Sequence, residues 1–214
     1  MKENKDTEYI YIILVKAMTG LGKFARKLTR YDYTHIAVSF DELLNDFVTF
    51  SRHNHYVALD AGIMHEYRSC YAYGDIEEFG AKVFKLPVSK EKLENIFKIV
   101  YDLENDKDYM FNVFSMATMP ILHGFRIYKT HNCMSFVGLV IKETDSIEMK
   151  KQYWKYSIPE LDKLMADYLF FEGNLKKDDK TIENYMVKPK LFNRIRISTR
   201  TILRLLGRTF KKVE

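Results

Sequence analysis

Cys133 stands in His131-Asn132-Cys133-Met134, directly ahead of the apolar stretch Ser135 to Ile141. A thiol at the start of a helix faces unpaired backbone N–H groups and the positive end of the helix dipole, and both favour a thiolate. Far upstream, Tyr33-Thr34-His35-Ile36-Ala37-Val38-Ser39-Phe40 reads as a strand with a histidine at its start. A helix-opening cysteine and a strand-borne histidine are the two parts of a thiol nucleophile and its base. Taken singly, a buried cysteine is usually a small hydrophobe and a lone histidine a satisfied structural residue. The pair is more informative than either member.

The competing use of Cys and His is a metal, and His53-Asn54-His55 with Asp60, His65 and Cys70 raises it. That spacing matches no zinc pattern, and no metal is expected. Neither a P-loop nor G-x-G-x-x-G is present, so no nucleotide or other cofactor is expected.

These side chains need elements to hold them. Glu8 to Ala17 reads as a first strand, followed by a break at Thr19 to Gly22 and a short basic helix carrying Leu21, Phe24, Ala25 and Leu28. The His35 strand comes next, then a polar connection and Phe47-Val48-Thr49-Phe50-Ser51 as an antiparallel third strand. From Arg52 to Gly80 the pattern is weak, and part of it must be loop. Ala81 to Val88 alternates as a strand, and Ser89 caps a helix whose stripe is Leu93, Ile96, Phe97, Val100 and Leu103. Met110 to Met119 predicts a second, mostly buried helix ended by Pro120. Asn132 then caps the cysteine helix, and Leu161 to Phe171 predicts one more.

With 214 residues, 47% hydrophobic and 14% aromatic, the chain can bury one substantial core. The reading is one main domain over residues 1–175, with a charged linker and basic amphipathic tail over 176–214. Two cysteines in unlike contexts do not indicate a disulfide scaffold, which fits a reducing, cytoplasmic setting. The longest uncharged window, Tyr109 to Phe125, falls short of the ~20 apolar residues that a membrane span needs. The apolar run Tyr9 to Val15 ends in Lys16 and reads as a strand rather than a signal peptide.

The order of histidine strand, polar residue on the next strand and helix-opening cysteine resembles the circularly permuted NlpC-type papain-like group, which includes YiiX-like proteins and relatives of lecithin retinol acyltransferase. Thr34-His35-Ile36-Ala37-Val38 is similar to that group's histidine strand, and Asn132-Cys133-Met134-Ser135-Phe136-Val137 to its cysteine helix. The resemblance covers about Tyr9 to Ile141. Met134 departs from the small polar residue common after the cysteine. It implies an α+β, permuted papain-like fold in which a small antiparallel sheet packs against helices. Cys133 would be the nucleophile and His35 the base.

A third group must orient the imidazole and fix its tautomer. Aligning Phe47 to Phe50 with the group's second catalytic strand places Thr49 there. Ser51 shares its face by period-two alternation and is the reserve. Glu66 could supply a carboxylate from the next segment. A hydroxyl orients histidine more weakly than a carboxylate does.

The expected activity is a thiol hydrolase (amidase, peptidase or thioesterase) or an acyltransferase, acting on a peptide, acyl or lipid substrate through a Cys133 acyl-enzyme. The alternative is a non-catalytic protein that keeps the fold and binds a peptide or lipid. Between Lys188 and Lys212 there are nine Lys or Arg and no acid, with Ile195, Ile202, Leu205, Leu206 and Phe210 near helical spacing. Packing of that stripe on the domain ranks first. An anionic membrane surface, giving a peripheral location, ranks second. Nucleic acid ranks last, because no base-reading or stacking motif accompanies the charge.

Overall fold

Ile10 to Val15 carries apolar side chains at every position, so a strand made from it must be covered on both faces. In a computed structural model, which describes residues 7–17, 26–27, 29–72 and 74–211, this run lies within β1 (Thr7–Val15) near the middle of a six-stranded sheet. The strands β2 (His35–Ser39), β3 (Phe47–Arg52), β4 (Ala61–Glu66) and β5 (Glu78–Ser89) follow in the chain. A separate parallel pair is formed by β6 (Met110–Phe111) and β7 (Thr130–His131), and β8 (Leu169–Lys176) completes the large sheet. Its order is β4-β3-β2-β1-β5-β8, antiparallel throughout.

Strand alternation divides the core in two. Ile10, Ile12 and Leu14 point with Ile36, Val38 and Phe50 into one apolar cluster, while Tyr11, Ile13 and Val15 point with Ala37, Phe47 and Val83 into another. The first cluster is covered by α1 (Lys90–Asn105), with Ile96, Val100 and Leu103 buried, and by the cysteine-bearing helix described below. The Ser89 hydroxyl accepts the Lys92 N–H at 3.3 Å, as its cap position predicts. Phe97, expected in the buried stripe, is half exposed and meets Phe40 with ring centroids 4.8 Å apart.

The region from Met110 to Met119 is not a single helix. Its first two residues form β6, after which come α2 (Val113–Ala117) and α3 (Met119–Leu122). Pro120 does not end a helix but lies in the first turn of α3, where its missing N–H would have had no partner anyway. The cysteine helix, α4 (Cys133–Thr144), lays Phe136 against Phe50 at a centroid distance of 5.7 Å. The helix expected over Leu161 to Phe171 is also corrected. There α5 (Ile158–Leu164) gives way to a 3-10 turn at Ala166–Tyr168, and the remaining residues enter β8 as an edge strand on β5. Tyr185 is buried in the second cluster, so the stretch beyond residue 176 contributes to the core before α6 (Leu191–Arg208) begins. The basic helix expected over Leu21 to Leu28 falls mainly outside the described residues.

Against α4 lies the 3-10 turn Tyr153–Lys155, and Gly138 is the point of contact. A Cβ at Gly138 would stand 2.5 Å from the Tyr153 carbonyl oxygen, a backbone atom that cannot swing aside. Gly138→Ala is therefore expected to cost about 1–3 kcal/mol through overpacking. Urea unfolding of the two proteins measures it, and equal midpoints would show that the turn is free to move.

Candidate active site

The start of α4 is fixed from both sides. Asn132 adopts an extended conformation, its Oδ1 accepts the Ser135 N–H at 2.8 Å, and the Ser135 hydroxyl accepts the Asn132 N–H at 2.9 Å. This reciprocal capping box satisfies two backbone donors that a helix start otherwise leaves open. The preceding residues Thr130–His131 are paired with Met110–Phe111, and Asn112 donates its N–H to the His131 carbonyl at 2.7 Å. Cys133 is thus held on a turn anchored at each end, and only 5% of it is exposed.

His35 opens β2 opposite Val15 of the central strand. Its Nε2 lies 2.7 Å from Oε2 of Glu66, which is 2% exposed. The Tyr71 hydroxyl donates to the same carboxylate oxygen at 2.6 Å, and the Ser51 hydroxyl also bonds to Glu66. Burial on its own favours a neutral imidazole, but the charges of Glu66 and of Cys133, with hydrogen bonds to both, outweigh it and push His35 up to about 10. Burial likewise favours a protonated Glu66, and here His35, Tyr71 and Ser51 win, holding the carboxyl below its ordinary value. Through the neutral range the site therefore holds an imidazolium–carboxylate pair. With Nε2 committed to Glu66, the other ring nitrogen is the one available to the Cys133 thiol.

The structure brings Cys133, His35, Glu66 and Ser51 together. Thr49 is corrected: its hydroxyl donates to the Ile36 carbonyl at 2.9 Å and is spent inside the sheet, so the imidazole partner is the reserve carboxylate Glu66. Ser51, the other reserve residue, reaches the same carboxylate from β3. Tyr71 was missed by sequence reasoning. The available signal was a buried-type acid, Glu66, five residues ahead of a tyrosine within an aromatic segment.

Other titratable groups nearby play different parts. Cys70 is as buried as Cys133, but burial and the adjacent negative charge of Glu66 push its thiol up to about 12. His131 is pushed down to about 4 by burial and by Arg126, and it stacks with Tyr109 at 5.9 Å as a neutral ring. In the histidine-rich segment, His53 faces Asp60 at 3.3 Å, while His65 lies between Asp46 at 2.7 Å and Glu104 at 2.8 Å. Two buried polar atoms flanking the pair have no hydrogen-bond partner among the described residues: Asn132 Nδ2, next to Cys133, and Thr34 Oγ1, next to His35. Unpartnered buried groups are rare and costly in native proteins.

Comparison with protein-family models, curated proteins and solved structures found no match.

Removing the charge of Glu66 should release His35 toward its ordinary value. Alkylation of Cys133 by iodoacetamide at pH 7 is expected to slow about fourfold in Glu66→Gln, because an imidazole returned to 6.5 is only about one quarter charged at that pH, and to be unchanged in Thr49→Val. Peptide mass spectrometry reads both, and the reverse ranking would restore Thr49 as the orienting residue. The same pair fixes a pH window. His35 is raised above its usual 6.5, so its contribution to stability is full below that pH and lost as pH rises through about 10. Glu66 is lowered from 4.5, so its contribution is lost as pH falls below that range. The loss of stability in Glu66→Gln, about 3–5 kcal/mol for breaking a buried pair, should thus be greatest near pH 5–6 and shrink toward pH 10. Denaturant titrations across pH measure it, and a constant gap would mean that the pair is not charged.

Proposed function

We propose that this chain is a cysteine hydrolase or acyltransferase of permuted papain-like fold, with Cys133 as nucleophile, His35 as its imidazolium partner and Glu66 as the group that orients and charges His35. The observation that carries this reading is the buried Glu66–His35 ion pair beside a helix-opening thiol. A positively charged ring against Cys133 favours the thiolate, which is the reactive form. A carboxylate on the far nitrogen fixes the tautomer and ring orientation that proton transfer needs.

The reaction follows from those roles. The Cys133 sulfur attacks the carbonyl carbon of an amide or ester, forming a C–S bond while the carbonyl electrons move onto oxygen. The Cys133 backbone N–H, at the helix start, would meet that oxyanion, and Asn132 Nδ2, buried with no hydrogen-bond partner among the described residues, would be a second donor. When the intermediate collapses, the bond to the amine or alcohol breaks and His35 supplies its proton. Water then attacks the thioester with His35 accepting a proton, which releases the acid and restores the thiolate. An amine or alcohol in place of water gives acyl transfer by the same steps. A hydroxyl as third residue would favour a non-catalytic binding protein; the Glu66 carboxylate on His35 favours the enzyme instead.

Incubation with p-nitrophenyl acyl esters and long-chain acyl thioesters, followed by intact-mass spectrometry, tests the reading. An acyl adduct on Cys133 that is absent in Cys133→Ser and His35→Gln is expected. Asn132→Ser keeps a capping oxygen but removes the amide donor, so it should slow acylation by about a hundredfold, in the range of a lost oxyanion donor, while leaving Cys133 alkylation unaltered. No adduct, together with Cys133 alkylation no faster than that of Cys70, would refute the enzyme and leave the cleft as a binding site.

A further inference from the structure

The helix α6 divides lengthwise into three sectors when its residues are set out at 3.6 per turn. One sector faces the domain. Leu205 and Arg208 are buried there, and the Arg208 guanidinium donates to the carbonyls of Asp108 and Lys129. A second sector is apolar and turned outward, with Phe192 74% exposed, Ile195 56%, Leu203 63% and Leu206 47%, and Phe210 continues it just past the helix end. The third, beside the apolar one, carries Arg196 and Arg200, with Arg204 at its edge paired to Asp108 at 3.5 Å. Packing of the whole apolar stripe on the domain, the first-ranked expectation, holds for Leu205, while Ile195, Leu206 and Phe210 face away. Single exposed apolar residues are ordinary, but four on one side of a helix with a fifth just past its end are not.

We propose that this outward face is a docking surface for an anionic lipid bilayer. The helix would lie in the plane of the interface, with its apolar stripe at the headgroup–acyl boundary and its arginines among the phosphates. Charge complementarity selects this occupant. Between Lys188 and Lys211 no acid interrupts the basic residues, so the surface suits a negatively charged partner that also offers hydrocarbon, and an anionic bilayer offers both. A second copy of the chain fits poorly. Two such faces would oppose like charges, and the acids that face the helix are already used internally, Asp106 by Lys129, and Asp108 by Arg204 and Arg208. No helix among the described residues is long and apolar enough to cross a membrane, which accords with α6 lying on one. The inference stands apart from the thiol chemistry, and its test uses no substrate.

Co-sedimentation of the full chain with vesicles reads it directly. Binding is expected to phosphatidylcholine vesicles that contain phosphatidylglycerol, and to be much weaker to phosphatidylcholine alone. Replacing Arg196 and Arg200 by Gln should weaken partitioning about 25-fold, near a factor of five for each arginine. Phe192→Gln with Leu203→Gln should weaken it at least about tenfold by removing apolar contact, with circular dichroism unchanged because both side chains are exposed. Equal binding to both vesicles, or binding to neither, overturns the proposal. So does binding that depends on the arginines and not on the stripe, which is the pattern of a soluble polyanion. A dimer in light scattering that the stripe variant abolishes assigns the face to a second copy instead.

Discussion

A carboxylate taken out of water demands compensation from every side, and Glu66 obtains it from three separate parts of the chain. His35 comes from the start of β2, Ser51 from β3 and Tyr71 from the turn that follows β4. No single contact among these would offset the cost of burying the charge; together they do. The geometry of the sheet edge follows from that requirement. The second apolar cluster supplies the low-dielectric surroundings, with Phe47 and Phe79 packed around Tyr71, and those surroundings strengthen each bond to Glu66 while excluding competing water. The imidazolium is thus a property of the fold rather than of His35 alone.

The cysteine end is built on a different principle. Nothing there compensates a charge by burial against a carboxylate; the position is set by backbone geometry, through the Asn132–Ser135 capping box and the β6–β7 pair. Gly138 lets the Tyr153–Lys155 turn close over the helix, and His131, kept neutral, fills the space between aromatic rings without adding a charge that would repel His35. The site therefore joins an electrostatically defined half, carried on the sheet, to a geometrically defined half, carried on a helix start.

What could be read from the sequence follows this division. The helix start was legible because capping is local: Asn132 and Ser135 are three residues apart, and the apolar run begins at once. Antiparallel pairing of β2 with β3 was legible for the same reason, as was the Ser89-capped helix. The partner of His35 was not, because it lies on β4, a short strand containing Gly62 in a segment whose alternation is too weak to reveal register. Thr49 is on the expected strand, yet its hydroxyl is taken by the Ile36 carbonyl of the neighbouring strand. The stretch over Leu161 to Phe171 misled because periodicity cannot tell a helix from an edge strand that leaves Leu169 and Phe170 half exposed. In the tail, the amphipathic pattern was legible but its orientation was not: a stripe and a basic face specify a helix, while the side that meets the domain was decided by Arg208 reaching two carbonyls.

The two cysteines carry the electrostatic argument to its end. Both are free and both are almost fully buried. They differ in which pole of the His35–Glu66 pair they meet. Cys70 faces the carboxylate, whose negative charge adds to burial in keeping the proton on sulfur. Cys133 faces the imidazolium, and a hydrogen bond joins the two side chains. The ion pair thereby presents opposite poles to the two thiols. Reversing it, by exchanging the acid and the histidine, would turn the favourable pole toward Cys70, which lies on a 3-10 turn and has neither the start of an α-helix nor the Asn132 amide beside it.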